Sequence, residues 1–274
     1  MHKKSSFKII IYAILILGCL ITLIPFIWMI TTSLKSGGEI YKLPLAFLPE
    51  SFKWENYKTV FEKVPMLQYA INSVIVTTII TVGTVLTSIL AAFAFSKKKF
   101  FGRDILFTLL LSTMMVPSEM LISPNFVTLS KFGLINKLPA LYIPWVASVF
   151  TIFLLRQYFL GIPEELYYAA KVDGCSDFKY LIRVMVPLAR PGIITIALIR
   201  IINSWNEFLW PLLMVSTPDK RTLPVGLAQF ITEAGPNYNL LMAYSSIIIL
   251  PVIVIYIFLQ KYVIQGVARS GIKG

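Results

Sequence analysis

Five polar residues crowd an apolar stretch near the middle of the second half of the chain: Arg200, Asn203, Ser204, Asn206 and Glu207. On a helix, positions 200, 203, 204 and 207 are i, i+3, i+4 and i+7, so they share one face, with Asn206 beside them. A guanidinium, two amides, a hydroxyl and a carboxylate can together donate and accept hydrogen bonds to a hydroxyl-rich solute. The set is not a catalytic one. The only histidine is His2, so no Ser-His or Cys-His nucleophile pair and no histidine-based metal site can form. The sequence has no HExxH, no CxxC and no GxGxxG after a strand. It also lacks GxxxxGK[ST], the common phosphate loop of ATPases.

Ionisable residues inside a membrane are costly and usually face a bundle interior or a cavity. Two readings of the stripe stand. Arg200 and Glu207 pair with each other or with a neighbouring helix and fix packing, or the stripe is one wall of a translocation pathway. Trp205, Phe208 and Trp210 flank it. Aromatic faces stack on sugar rings, but a tryptophan near the end of a span more often anchors at the interface, and that reading is favoured for Trp210.

The elements that must hold this stripe follow from composition. The 274 residues are 57% hydrophobic and 14% charged, with a mean hydropathy of +0.77. A soluble domain carries about 25% charged residues. Runs of about 20 apolar residues recur, which marks an all-α polytopic membrane protein. Six transmembrane helices are expected, at Ile9–Ile30, Tyr69–Phe95, Ile105–Leu129, Leu138–Leu160, Ile193–Val215 and Leu240–Leu259. The first is too long for a signal-peptide core and lacks a small-x-small cleavage site after it, so it reads as retained. The third is interrupted by Pro117 and Pro124 beside Glu119, a break tolerated where backbone faces protein or a wet cavity; a hinge or gate is one reading of it.

An even number of spans puts both termini on one side. Fifteen Lys and Arg residues then lie on the side of the termini and nine on the other, with Arg200 inside a span. The cluster "KKKFFGR" after the second span weighs most. The positive-inside rule places both termini in the cytoplasm. The net charge of +12 therefore reflects topology; there is no basic tail with interleaved aromatics, and nucleic acid is not an expected partner. Cys19 falls in the first span and Cys175 outside the bilayer, so two free thiols are expected. The segments Thr31–Gln68 and Ser216–Asn239 are long enough for small structures of their own. No internal repeat is visible.

One charged stretch, "IPEELYYAAKVDGCSDFKYLIRVMVP" (162–187), lies between the fourth and fifth spans. Pro163 suits a first helical position, and Glu164 and Glu165 favour a helix start. Leu166, Ala169 and Ala170 share a face, and Gly174 ends the run. A second helical segment over about Ser176 to Val184 and a break at Val186-Pro187 are expected. Such a helix either lies on the membrane surface or docks into a groove on a cytoplasmic partner through its small residues.

At these residues the sequence resembles the membrane subunit of a binding-protein-dependent ABC importer. The family's last cytoplasmic loop carries Glu-Ala-Ala, three residues, Gly, nine residues, then Ile-x-Leu-Pro. Here Ala169-Ala170, Gly174 and Val184-Met-Val186-Pro187 keep every spacing, and Asp173 matches the common form. Tyr168 stands where the signature has Glu, with Glu164 and Glu165 earlier. "INSVIVT" (71–77), "MMVP" (114–117), "LLRQYFLGIP" (154–163), "NSWNEFLWPLL" (203–213) and "TLPVGL" (222–227) are similar to the carbohydrate branch, and specifically to the smaller, six-span partner of the maltose-type pair.

The resemblance implies a single transmembrane domain over residues 1–274 in a bacterial-type plasma membrane. It implies a coupling loop at 161–192 in which Glu164, Glu165, Tyr168, Ala169, Ala170, Asp173, Gly174 and Pro187 meet the ATPase. It also implies a substrate pathway with Arg200, Asn203, Asn206 and Glu207. The implied partners are a second homologous permease subunit, a cytoplasmic ATPase dimer, an extracellular solute-binding protein and membrane lipid. No cofactor is expected on this chain; ATP and Mg belong to the ATPase, and the chain is not an enzyme. The cargo would be a sugar or oligosaccharide, with glycerol-3-phosphate as an alternative. An ion-coupled secondary transporter leaves the loop unexplained. An intramembrane enzyme has little beyond a Ser-Lys dyad to work with.

Overall fold

The computed structural model describes residues 2–233 and 235–271, with side chains described for 8–233 and 235–261. The chain is mostly helical. The only paired strands among the described residues are Ile231–Thr232 and Gly235–Pro236, an antiparallel ribbon. In a bilayer every backbone polar group must be satisfied within the protein, and a helix does this within its own segment. Among the described residues, three helices are long and apolar enough to cross a membrane, Lys8–Ser33, Met66–Lys97 and Tyr238–Lys261. They contain the expected first, second and sixth spans whole.

Three further helix pairs are each bent at a short break, and counting each pair as one span gives six. Arg103–Met115 and Ser118–Lys131 meet at 94°. The break falls at Pro117, which is extended at ψ 137°, as its residue type suggests. Pro124 does not break the chain. It sits in the first turn of helix Ile122–Lys131, where a missing N–H costs nothing.

The fourth span was expected to run unbroken over Leu138–Leu160. Instead Pro139–Trp145 and Val149–Leu160 meet at 43°. Pro144 cannot donate to the ladder, and Ser148 caps the second piece by accepting from the Thr151 N–H at 3.3 Å. The freed carbonyls find side chains. Trp145 O accepts from Thr84 Oγ1 at 3.0 Å and Arg200 Nη2 at 2.9 Å, and Val146 O accepts from Thr87 Oγ1 at 3.0 Å. Gly83 permits this approach, because a Cβ there would lie 3.0 Å from Val146 Cβ.

The fifth span was expected as one helix over Ile193–Val215. The helix runs Arg190–Trp205, stops at Asn206, and resumes as Leu209–Met214. Pro211 explains the stop: its ring excludes the carbonyl of residue 207 from a continuous helix, and it has no N–H to give it. Upstream, Asp177–Leu188 precedes Arg190–Trp205 at 79°. Val186-Pro187 was expected to be the break, yet both are helical and the bend comes at Ala189. A π turn over Leu181–Met185, closed by Val186 N–H to Leu181 O, comes just before the proline. The wider turn removes the clash a proline makes in α geometry.

The chain divides into two compact units, Met1–Met66 with Gly226–Leu250, and Leu67–Val225 with Pro251–Gly274. In the first, Asn56 donates to the carbonyls of Ser33 and Lys35, both at 2.8 Å, and accepts from Asn239 at 3.1 Å. Tyr57 OH bonds Ser33 Oγ at 2.8 Å and Ser246 Oγ at 3.1 Å. In the second, one core gathers Phe93, Leu155, Phe159, Tyr180, Met185 and Ile196. Another gathers Val76, Ile80, Leu141, Trp210 and Met214. Cys19 and Cys175 are both free.

Candidate functional site: a polar cavity and an exposed loop helix

The second unit holds a cavity of about 430 Å³ lined in part by Arg200, Asn203, Ser204, Asn206 and Glu207. The stripe read from the sequence therefore converges on one space, but not as one helical face. The helix ends at Trp205, so Glu207 is not at i+7 of a continuous turn. Its Oε1 accepts from the Trp210 N–H at 3.1 Å and caps the short helix after the break. No ion pair joins Arg200 and Glu207 among the described residues; Arg200 instead binds the Trp145 carbonyl. Asn203, Asn206 and Glu207 are exposed and form the open side.

Trp210 is not an interface anchor. It is 2% exposed, its Nε1–H donates to Ala140 O at 3.1 Å, and its ring meets Trp145 edge-on at 5.6 Å. The opposite wall comes from the second span, whose polar residues were not singled out. Ser73 and Thr77 line the cavity with Thr222. The signal was present: Ser73, Thr77, Thr81, Thr84 and Ser88 recur at spacings of three and four, all buried, a polar stripe facing the protein.

The loop helix runs Glu164–Val172. Pro163 stands one residue before it, with ψ 137°, rather than at its first position. Its end is a full Schellman motif: Gly174 N–H to Lys171 O at 3.0 Å and Cys175 N–H to Ala170 O at 2.8 Å, with Gly174 at φ +69° and Asp173 as the C-cap. This is the left-handed stop that glycine supplies. Glu164 and Glu165 are exposed in the first turn.

The two alanines do not act together. Ala170 packs inward with Tyr167 on the core around Phe159 and Tyr180. Ala169 faces out with Glu165, Tyr168 and Val172, the last 88% exposed. Pro187 lies apart, exposed after the π turn.

Residues outside the motif hold the loop. Asp177 pairs with Lys171 at 2.9 Å and with Lys98 at the foot of the second span, and it accepts from Tyr167 OH at 2.8 Å. Hydrogen bonds from Lys171, Lys98 and Tyr167 hold its carboxyl well below the usual carboxylate range. Lys97 Nζ donates to Ile162 O at 3.0 Å, and Arg156 Nε to Phe95 O at 3.0 Å. The lysine cluster read only as a topology signal thus also fastens the loop.

Residues 83–269 match the family described as binding-protein-dependent transport system inner membrane component. The chain is 34% identical over 257 residues to the arabinooligosaccharides transport system permease protein of Halalkalibacterium halodurans, covering 93% of this chain and 92% of that one. It is 32% identical to the diacetylchitobiose uptake system permease protein of Streptomyces coelicolor, covering 98% and 90%. Among solved structures, a chain of a bacterial ABC transporter involved in the import of the acidic polysaccharide alginate superposes with a TM-score of 0.81 at 26% identity, covering 96% and 98%.

Proposed function

This chain belongs to the family of binding-protein-dependent transport system inner membrane components, and from that premise we propose that it is the permease subunit of an ATP-driven importer for a sugar or oligosaccharide. It is a multi-pass membrane protein and not an enzyme. Hydrolysis belongs to a separate ATPase subunit. In this reading six spans form half of a pore and a homologous subunit forms the other half. Both termini lie in the cytoplasm, as the Lys and Arg distribution favours. A binding protein delivers solute from outside.

The observation that carries the reading is the loop helix Glu164–Val172. It is fastened on one side by Tyr167, Ala170 and the Asp177 pairs, and its other side presents Tyr168, Ala169 and Val172 to solvent. A face of Tyr168, Ala169 and Val172 edged by Glu165, on an exposed helix anchored along its other side, is what a groove on an ATPase subunit needs. When the ATPases close on ATP, a helix held this way moves as a body and carries the foot of the second span with it through Lys97 and Lys98. Glu164 and Glu165 start it and Asp173 and Gly174 end it, while Pro187 lies in the later helical segment that leads to the fifth span. Arg200, Asn203, Asn206 and Glu207 line the substrate pathway. Names of the sugar-transporting relatives support the cargo class.

A second reading keeps the importer and changes the cargo to glycerol-3-phosphate. Arg200 in the cavity favours it, while Glu207 in the same cavity opposes it.

The test is gentle detergent extraction from native membranes with mass spectrometry of what accompanies this chain. A second polytopic subunit and an ATPase carrying the phosphate loop are expected. Recovery of this chain alone, under conditions that keep other importers intact, would shift the weight to a secondary transporter.

A further inference from the structure

Charge and open space also meet at the foot of the second span. Residues 97–104 read KKKFFGRD, four cations against one acid. Two of the cations are used within the protein, Lys97 on Ile162 O and Lys98 on Asp177. Lys99 is exposed and, among the described residues, has no ion pair or side-chain hydrogen bond. Arg103 gives three of its five N–H donors to Asp104 and Lys98 O, which leaves two. Lys99 and Arg103 line one pocket of about 370 Å³ with Phe100, Gly102, Asp104 and Ile105.

Apolar side chains continue from this pocket. Phe101 is fully exposed, and Ile105 and Leu109, one turn apart on the helix Arg103–Ser112, are 68% and 58% exposed. That helix begins the bent third span, so its exposed side chains lie at membrane depth. A cationic pocket at the polar end of an apolar stripe has the outline of one kind of molecule.

We propose that this foot binds one anionic phospholipid, its phosphate at Lys99 and Arg103 and its acyl chains along Phe101, Ile105 and Leu109. The proposal goes beyond the transport reading and needs only that the chain lies in a membrane. A soluble anion would fill the pocket and leave the stripe bare. A zwitterionic lipid brings its own cation to a lysine that already lacks an acid. Asp104 does not cancel the attraction, because Arg103 is already turned onto it and the stretch stays positive. Basic pockets of this kind, on the cytoplasmic side, take anionic head groups, and the Lys and Arg distribution favours that side for this foot.

The site is tested on the chain extracted with its partners into lipid nanodiscs. The discs carry either phosphatidylglycerol or phosphatidylcholine with a photoactivatable diazirine high on one acyl chain. After illumination the marked residues are mapped by mass spectrometry. Phosphatidylglycerol is expected to mark residues 104–112 about fivefold more than phosphatidylcholine, the worth of one basic residue at an anionic surface. Lys99→Gln should bring the two lipids level, and Lys99→Arg should keep the preference. Lys179→Gln removes an exposed cation of the loop that does not line the pocket, and should change nothing.

Equal marking by the two lipids in the native protein would overturn the site. A preference that survives in Lys99→Gln would do the same. A preference lost equally in Lys179→Gln would show a diffuse surface charge and no site. Soluble sn-glycero-3-phosphoglycerol, added in large excess, carries the same phosphodiester without chains and should leave the marking in place. Displacement of the lipid by it would overturn the proposed occupant in favour of a free anion. The marking needs neither cargo nor ATP, so failure of the importer reading would leave this result standing.

Discussion

Arg200 donates through Nη2 to the carbonyl of Trp145 at 2.9 Å. A cation of the fifth span thereby satisfies the backbone released where the fourth span breaks. Thr84 serves the same carbonyl at 3.0 Å, so Arg200→Ala does not orphan it. The variant should assemble with its partner subunits within about twofold of the native level. Its transport should fall by about tenfold or more, the scale of one charge-assisted hydrogen bond. Uptake in whole cells and co-purification of the ATPase, measured side by side, check this. If assembly fails and no separate transport loss can be resolved, the guanidinium only packs the bundle. Arg200→Lys should recover part of the loss, since a lysine supplies charge and one direction of donation but not the planar fork.

The stop of the loop helix depends on backbone, not space. Gly174 sits at φ +69° and a Cβ there would meet nothing within 4 Å. The cost of substitution is therefore conformational, about 1–2 kcal/mol for an ordinary residue. Asn tolerates this region better. Gly174→Asn should couple ATPase activity to transport almost normally, and Gly174→Val should uncouple them or block assembly. Equal uptake by the two variants would count against a docking role for this helix.

Asp177 gives a pH signature. Its carboxyl titrates below its unfolded value of about 3.9, chiefly through hydrogen bonds from Lys171, Lys98 and Tyr167. A depressed acid contributes stability fully above the unfolded value and loses it as pH falls through the folded one. Lys171 is shifted the other way, upward, first by its hydrogen bond to Asp177, so its share is lost only in strong base. Protease accessibility of residues 161–192 should be flat from about pH 5 to 9 and rise only below about pH 4. A loosening centred near neutrality would show that another group controls the loop. Asp177→Asn should show raised accessibility across the whole range.

Much of this was legible in the sequence, for identifiable reasons. The three unbroken spans are long uncharged runs, and nothing competes with helix there. Gly174 and the spacing around it gave the loop helix and its end. The broken spans were harder. Pro144 and Pro211 were visible, but apolar periodicity alone does not say whether a proline kinks a span or ends it. That depends on whether neighbours such as Thr84, Thr87 and Arg200 are placed to donate to the freed backbone carbonyls. The cavity was half read. Arg200 and Glu207 are conspicuous in an apolar run, whereas Ser73 and Thr77 look like ordinary tolerated polar residues until the second span is packed. The role of Asp177 was invisible because its partners are distant in sequence, at Lys98, or hidden in the motif, at Lys171 and Tyr167.

Gly83 links packing to the cavity. Its missing Cβ lets the second span approach the break in the fourth, where Val146 Cβ would lie 3.0 Å and Cγ1 3.1 Å from an added methyl. Neither is the far end of a flexible chain, so the backbone at Val146 must give way, and overpacking of this kind costs about 1–3 kcal/mol. The displaced segment carries the Trp145 carbonyl that Arg200 and Thr84 hold, and the Trp145 ring that lines the cavity. Gly83→Ala should thus lower both thermal stability and solute uptake, while the loop helix, fastened through Lys97 and Lys98 at the end of the span, should keep the ATPase contact proposed for it. Adding Val146→Gly removes the clashing atoms and should return part of the uptake. If the double variant recovers stability but not uptake, the Val146 side chain itself serves transport. If Gly83→Ala changes neither quantity, the close approach of these two spans is not what sets the geometry of the cavity.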